Sequence, residues 1–191
     1  MRGKVFVISA PSGAGKHTVL ARVLAQDPRM VYSVSATTRG PRPGEQDGRE
    51  YHFLDRAEFE KRIAEDAFVE WAEVHGNLYG TLRQSIEDVV GAGKDAVLEI
   101  DVQGMRKLRG RGLEFVSVFI APPSMEELER RLRDRATDSD AQIALRLRNA
   151  REEMAAMNEY DYCVVNDEID RAVTEFEGIV ERERARSRTQ A

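Results

Sequence analysis

Short apolar runs alternate along the chain with stretches whose apolar residues recur at helical spacing. The runs at residues 4–9, 96–100, 115–120 and 162–165, with a weaker one at 31–33, read as strands buried on both faces. Helical segments fill most of the intervals. One follows a glycine-rich loop at 18–25. Two more open on capping boxes, Asp55 with Glu58 and Ser124 with Glu127, and a last helix is expected over 168–184 with a frayed polar tail at 187–191. Strand and helix in alternation predict an α/β fold built on a largely parallel sheet flanked by helices.

Two stretches break the alternation. Residues 35–83 begin with a polar loop rich in glycine, proline and arginine and continue as a helix between strand-like pieces at 51–53 and 68–74, the pattern of an inserted subdomain. Arginines 130, 131, 133, 135, 146, 148 and 151 surround the polar loop 136–140, and such a charge run reads first as solvated helix faces. A length of 191 residues fits a single domain carrying insertions.

Composition narrows the function classes. Hydrophobic residues at 41% exclude a disordered chain, and a net charge of -5 argues against a broad nucleic-acid face, so small anionic ligands are the expected partners. No apolar run reaches membrane-spanning length, and the first residues lead straight into a strand without a signal-peptide pattern, which predicts a cytoplasmic protein with no membrane partner. Cys163, the single cysteine, sits in an apolar stretch and is expected to be a buried structural thiol.

The chemistry begins at "SAPSGAGKHT", residues 9–18, which follows the first strand and nearly matches the phosphate-loop pattern GxxxxGK[ST]. Ala10, Pro11, Ser12, Gly13, Ala14 and Gly15 form the turn. Its glycines let backbone amides converge on phosphate oxygens, and Lys16 adds a point charge. Ala10 stands where the pattern has its first glycine, a mild departure because this position closes the strand. His17 replaces the hydroxyl that would bind Mg²⁺, and imidazole is a poor ligand for that ion. Thr18 points about 100° further around the helix and cannot take over. Weakened magnesium affinity is therefore expected, with water in place of the lost bond.

A second anionic pocket is written into "SATTRGPRPGEQDGREYHF", where Arg39 and Arg42 lie in a proline-stiffened loop near Tyr51, a set suited to a phosphate monoester. Downstream, "EWAEVHGNLYGT" supplies Glu70, Tyr79 and Thr81, and "LEIDVQG" places Glu99 and Asp101 two apart, on one side of a strand at its carboxyl end.

With "RLRDRATDSD" and "YDYCVVND", these motifs make nearly the whole chain resemble the guanylate kinases, P-loop nucleoside monophosphate kinases that transfer a phosphoryl group from ATP to GMP. The resemblance implies a core at 1–34, 84–123 and 152–186, a GMP-binding insert at 35–83 and a helical lid at 124–151. It implies that Ser35, Glu70, Thr81 and Asp101 surround guanine and that Arg39, Arg42, Tyr51 and Tyr79 hold the GMP phosphate. Lys16 would act on the ATP phosphates with Arg135 and Arg146 of the lid, Asn166 would lie by the adenine, and Mg²⁺ would be required. His17 departs from the serine usual in the family. Trp71, His75 and His52 read as packing or surface residues. Competing readings are a non-catalytic module that keeps the nucleotide pocket to bind a phosphorylated partner, favoured only by His17, and a related kinase of reduced activity or another acceptor.

Overall fold

The computed structural model describes residues 2–74, 76–134 and 139–189. His75, Arg135 and the loop residues 136–138 lie outside them.

In chain order the elements are β1 (Val5–Ser9), α1 (Lys16–Gln26), β2 (Met30–Tyr32), β3 (Ala36–Thr37), β4 (His52–Phe53), α2 (Arg56–Ala64), β5 (Phe68–Val74), β6 (Asn77–Leu82), α3 (Arg83–Gly91), β7 (Asp95–Glu99), α4 (Val102–Gly110), β8 (Val116–Ala121), α5 (Met125–Asp134), α6 (Asp140–Ala155), β9 (Tyr162–Val165) and α7 (Ile169–Thr189). A five-stranded sheet has the order β2-β7-β1-β8-β9, with β2 parallel to β7 and β9 parallel to β8. A four-stranded sheet has the order β4-β3-β6-β5. The expected α/β architecture stands: β1 is buried along its whole length, as an apolar run without alternation requires. Among the described residues no helix is long and apolar enough to cross a membrane.

The chain forms two compact units, residues 1–6, 29–98 and 103–115, and residues 7–28, 99–102 and 116–191. The first holds the four-stranded sheet. Its core is Ala36, Phe59, Phe68 and Leu78, with Trp71 packed against it. Phe59 of α2 stacks on Phe68 of β5 at 4.3 Å between ring centroids, so the amphipathic helix closes one face of the sheet. In the second unit, Leu128 and Leu132 of α5 bury against Ile143, Leu147 and Ala150 of α6. The spacing of these residues makes one apolar stripe on each helix, and the arginines occupy the remaining surface.

Several expectations change in detail. Asp55 Oδ1 and Ser124 Oγ accept the amides of Glu58 and Glu127 at 2.7 and 3.1 Å, but the glutamate carboxylates turn to Arg62, and to Arg130 and Arg131. Both halves of a capping box meet instead at Ser139 and Gln142, opening α6. That helix runs to Ala155, past the lid boundary expected at 151. α7 reaches Thr189 rather than Arg184, because the glutamates, arginines and alanine after Val180 favour helix, and residues 187–189 of the tail expected to fray are helical. Cys163 is half-buried rather than buried, since β9 is an edge strand; burial still pushes its thiol pKa up.

Candidate active site

The loop of the second unit runs from Ala10 to Gly15 between β1 and α1. Gly13 and Gly15 have φ of 97° and 85°, a left-handed backbone that disfavours other residues. A Cβ on Gly15 would stand 2.3 Å from Asn166 Nδ2. That amide donates instead to Ala14 O at 2.7 Å, while Asn166 itself hangs from Ala121 O through its backbone N–H at 2.8 Å. β9 thus buttresses the loop. The first helical bond is Val19 N to Gly15 O at 3.1 Å, so the amides of Lys16, His17 and Thr18 precede the α1 hydrogen-bond ladder and sit at its positive end.

Lys16 Nζ meets Glu99 Oε1 at 3.1 Å, both side chains being about four-fifths covered. Glu153 of α6 faces the same lysine, and burial raises its pKa against the pull of Lys16, with Asp101 adding to the rise. The lysine thus sits among carboxylates. Asp101 is exposed and directly precedes α4, whereas β7 ends at Glu99. Strand alternation therefore does not relate Asp101 to Glu99. The regular strand ends before Ile100, whose carbonyl accepts from buried Ser9 Oγ at 2.6 Å.

A cleft of about 480 Å³ beside the loop is lined by Gly13, Gly15, Thr18, Arg131, Asp134 and Asn166, among others. Arg146 Nη1 donates to Ser12 Oγ at 2.7 Å, bringing an arginine of the expected lid onto the loop. Arg131 is one residue whose place was not legible in the sequence. It was grouped with solvated charge, yet it is half-buried, binds Glu127 at 2.8 Å and donates to Asn166 O at 3.0 Å. Its neighbours Arg130 and Arg133 do pair on the helix surface. Only the helical phase distinguishes Arg131, since it lies beside buried Leu128 and Leu132. Arg130 and Arg131 together hold the Glu127 carboxyl down at about 2. His17 and Thr18 are exposed on the first turn of α1.

In the first unit, Arg39, Tyr51 and Tyr79 come together. The Arg39 guanidinium lies 5.5 Å from the Tyr51 ring centroid, and Tyr51 meets Tyr79 edge-on at 5.9 Å. The Arg39 backbone N–H donates to Thr37 Oγ1 at 3.1 Å, anchoring the loop to β3. Glu45, not legible in the sequence as a partner, takes both Arg39 Nη atoms at 2.9 and 3.0 Å and the Arg42 backbone N–H at 2.7 Å. Arg39 holds the Glu45 carboxyl below its usual range, and Glu45, followed by Tyr79, raises the guanidinium pKa. A carboxylate thus occupies the bidentate donor face that suits a phosphate. The Arg42 residue is exposed on the same loop.

Glu70 and Thr81 are direct cross-strand partners, and Thr81 Oγ1 donates to Glu70 Oε1 at 2.9 Å. Thr81 is buried and Glu70 half-buried. Ser35, also half-buried, accepts His52 N–H through its carbonyl at 2.9 Å, placing it beside β4. Ser35, Glu70 and Thr81 belong to the first unit and Asp101 to the second. The arrangement offers a shaped carboxylate acceptor and an arginine-tyrosine anion grip in one unit, and a loop of amides with a lysine in the other.

Comparison with known proteins agrees with this chemistry. The family model described as guanylate kinase matches residues 2–183. The guanylate kinase of Synechococcus elongatus is 49% identical over 93% of this chain and 97% of that protein. That of Vibrio cholerae is 48% identical over 100% and 93%, respectively. A crystal structure of guanylate kinase from Anaplasma phagocytophilum superimposes with a TM-score of 0.73 at 38% identity, covering 95% of this chain and 86% of that one.

Proposed function

The chain belongs to the guanylate kinase family, and from that premise we propose how its residues carry out the family's reaction, transfer of a phosphoryl group from ATP to GMP. The observation that carries the residue assignment is the half-buried Glu70 carboxylate, held by Thr81 Oγ1 at 2.9 Å. It accepts from N1–H and the exocyclic amine of guanine, with Ser35, Thr81 and Asp101 completing the base set. Arg39, Arg42, Tyr51 and Tyr79 take the GMP phosphate, for which Arg39 exchanges Glu45. The loop amides and Lys16 take the ATP phosphates; Arg146 and Arg135 act from the lid, and Asn166 shapes the nucleotide cleft.

A phosphate oxygen of GMP attacks the γ-phosphorus as the bond from that phosphorus to the bridging oxygen of ADP breaks. Positioning and charge neutralisation supply the catalysis, and no side-chain nucleophile is needed. Lys16, drawn from Glu99 toward the phosphates, and the arginines offset charge on the transferring oxygens.

Membership implies ATP as the donor and a general magnesium requirement. Among the described residues, the chain's own donors do not make a magnesium site. His17 presents imidazole where the loop pattern has a hydroxyl, Glu99 is engaged by Lys16, and no group of three or more acidic, histidine or cysteine residues among those described could hold a metal ion. The residue roles are tested by Lys16→Met. GMP-dependent ADP release should fall by about 100-fold or more, with GMP binding retained in calorimetry; an unchanged rate contradicts the assignment.

A further inference from the structure

Edge strand β5 carries a bulge, because the pairing Phe68 with Leu82 is followed by Glu70 with Thr81, leaving Val69 as an extra residue. The bulge has a backbone signature. In a regular strand, carbonyls three residues apart point to opposite sides. Phe68 O and Trp71 O nevertheless both receive side chains of the α4 segment, from Arg111 Nη1 at 2.8 Å and Lys107 Nζ at 3.1 Å. The intervening Glu70 carbonyl lies against β6 instead, where a Cβ on Gly80 would come within 2.9 Å of it. Arg111 Nη1 also reaches Asp66 Oδ1 at 3.0 Å. Asp66 is the described non-glycine residue with positive φ, 51°, at the turn that leads into β5. Arg83 reaches the other Asp66 oxygen at 3.5 Å without an observed bond to Phe68 O.

We propose that Arg111, assisted by Lys107, is a positioning residue for base selection: it pins the bulged edge of β5 and so holds Glu70 in register with Thr81. The register matters because a one-residue slip would turn Glu70 to the opposite face of the sheet. Neither cation touches Glu70 in the observed contacts; each acts through a main-chain carbonyl on one side of it. The proposal rests on the reading of Glu70 as the guanine acceptor.

The test compares kcat/KM for GMP with that for inosine monophosphate, which lacks the exocyclic amine. Arg111→Met should narrow this preference about tenfold, the scale of one hydrogen-bonded carbonyl left unmet, with the KM for ATP unchanged. Arg111→Lys, which can still donate to Phe68 O, should restore it. Arg83→Met removes a different Asp66 partner and should leave it intact. In a Glu70→Gln background, Arg111→Met should narrow the preference no further. If Arg111→Met fails to fold, Lys107→Met reads the same ratio through Trp71. A preference unchanged in Arg111→Met but narrowed in Glu70→Gln overturns the positioning role while sparing the Glu70 reading, as does an equal loss for both nucleotides. A preference unchanged in Glu70→Gln removes the premise and the proposal together.

Discussion

Position 17 is where this chain's chemistry departs most from the phosphate-loop pattern. His17 is exposed on the first turn of α1, so its imidazole is free of packing constraints that would impose a structural reason for it. His17→Ser restores an oxygen donor, and the Mg²⁺ concentration giving half-maximal rate should fall; an unchanged concentration would make the histidine a bystander. At this scale the sequence was legible wherever chemistry required one residue type at one spacing, as with Gly13, Gly15 and Lys16 in the turn. Glu45 was not legible, because a glutamate in a polar loop looks like solvated charge until folding delivers it to both Nη atoms of Arg39. Arg131 was hidden for the same reason among its neighbours.

Elements were legible where an apolar run was long enough to show a pattern. Strand β1, apolar from Val5 to Ile8, and the run that became β9 stand out as uninterrupted patterns, and Phe68–Val74 was foreseen as the strand-like piece that became β5. β3 spans Ala36–Thr37, too short to show a period, and β6 was concealed by Gly80 and by the polar Asn77 and Thr81. The bulge that phases Glu70 exists only as a relation between two strands. The Ser139 capping box was also not singled out, although its two residues lie only three apart in sequence. Ser139→Ala should cost about 1 kcal/mol in helix stability and speed amide exchange in the first turn of α6. Exchange no faster than in the parent would show that the cap does not hold this helix.

For the whole molecule, charge near Lys16 couples stability to pH. Burial raises the Glu153 pKa above the carboxyl value of 4.5 expected in the unfolded chain. Between those two pKa values the folded protein binds more protons than the unfolded one, so this group makes stability fall as pH rises through the window. Glu153→Gln should therefore be the more stable protein at pH above the window, with the gap closing below pH 4.5; urea midpoints across pH measure it. A parent that stays the more stable at neutral pH contradicts this reading. Glu127 has the opposite sign: its carboxyl sits near 2, so its contribution is present above 4.5 and is lost as pH falls toward 2.

The α/β architecture and the glycine turn after β1 were readable because each is dictated by a local pattern. The division into two compact units was not, since it cuts through β1 and β7 and depends on contacts distant in sequence. The central claim, that one chain joins a triphosphate loop to a guanine-selective cradle, is tested most directly by following ADP release from ATP with GMP or AMP as acceptor. The account predicts release that depends on GMP, with kcat/KM for AMP lower by about 10⁴-fold. Release that is equally fast with AMP, or independent of any acceptor, would contradict it.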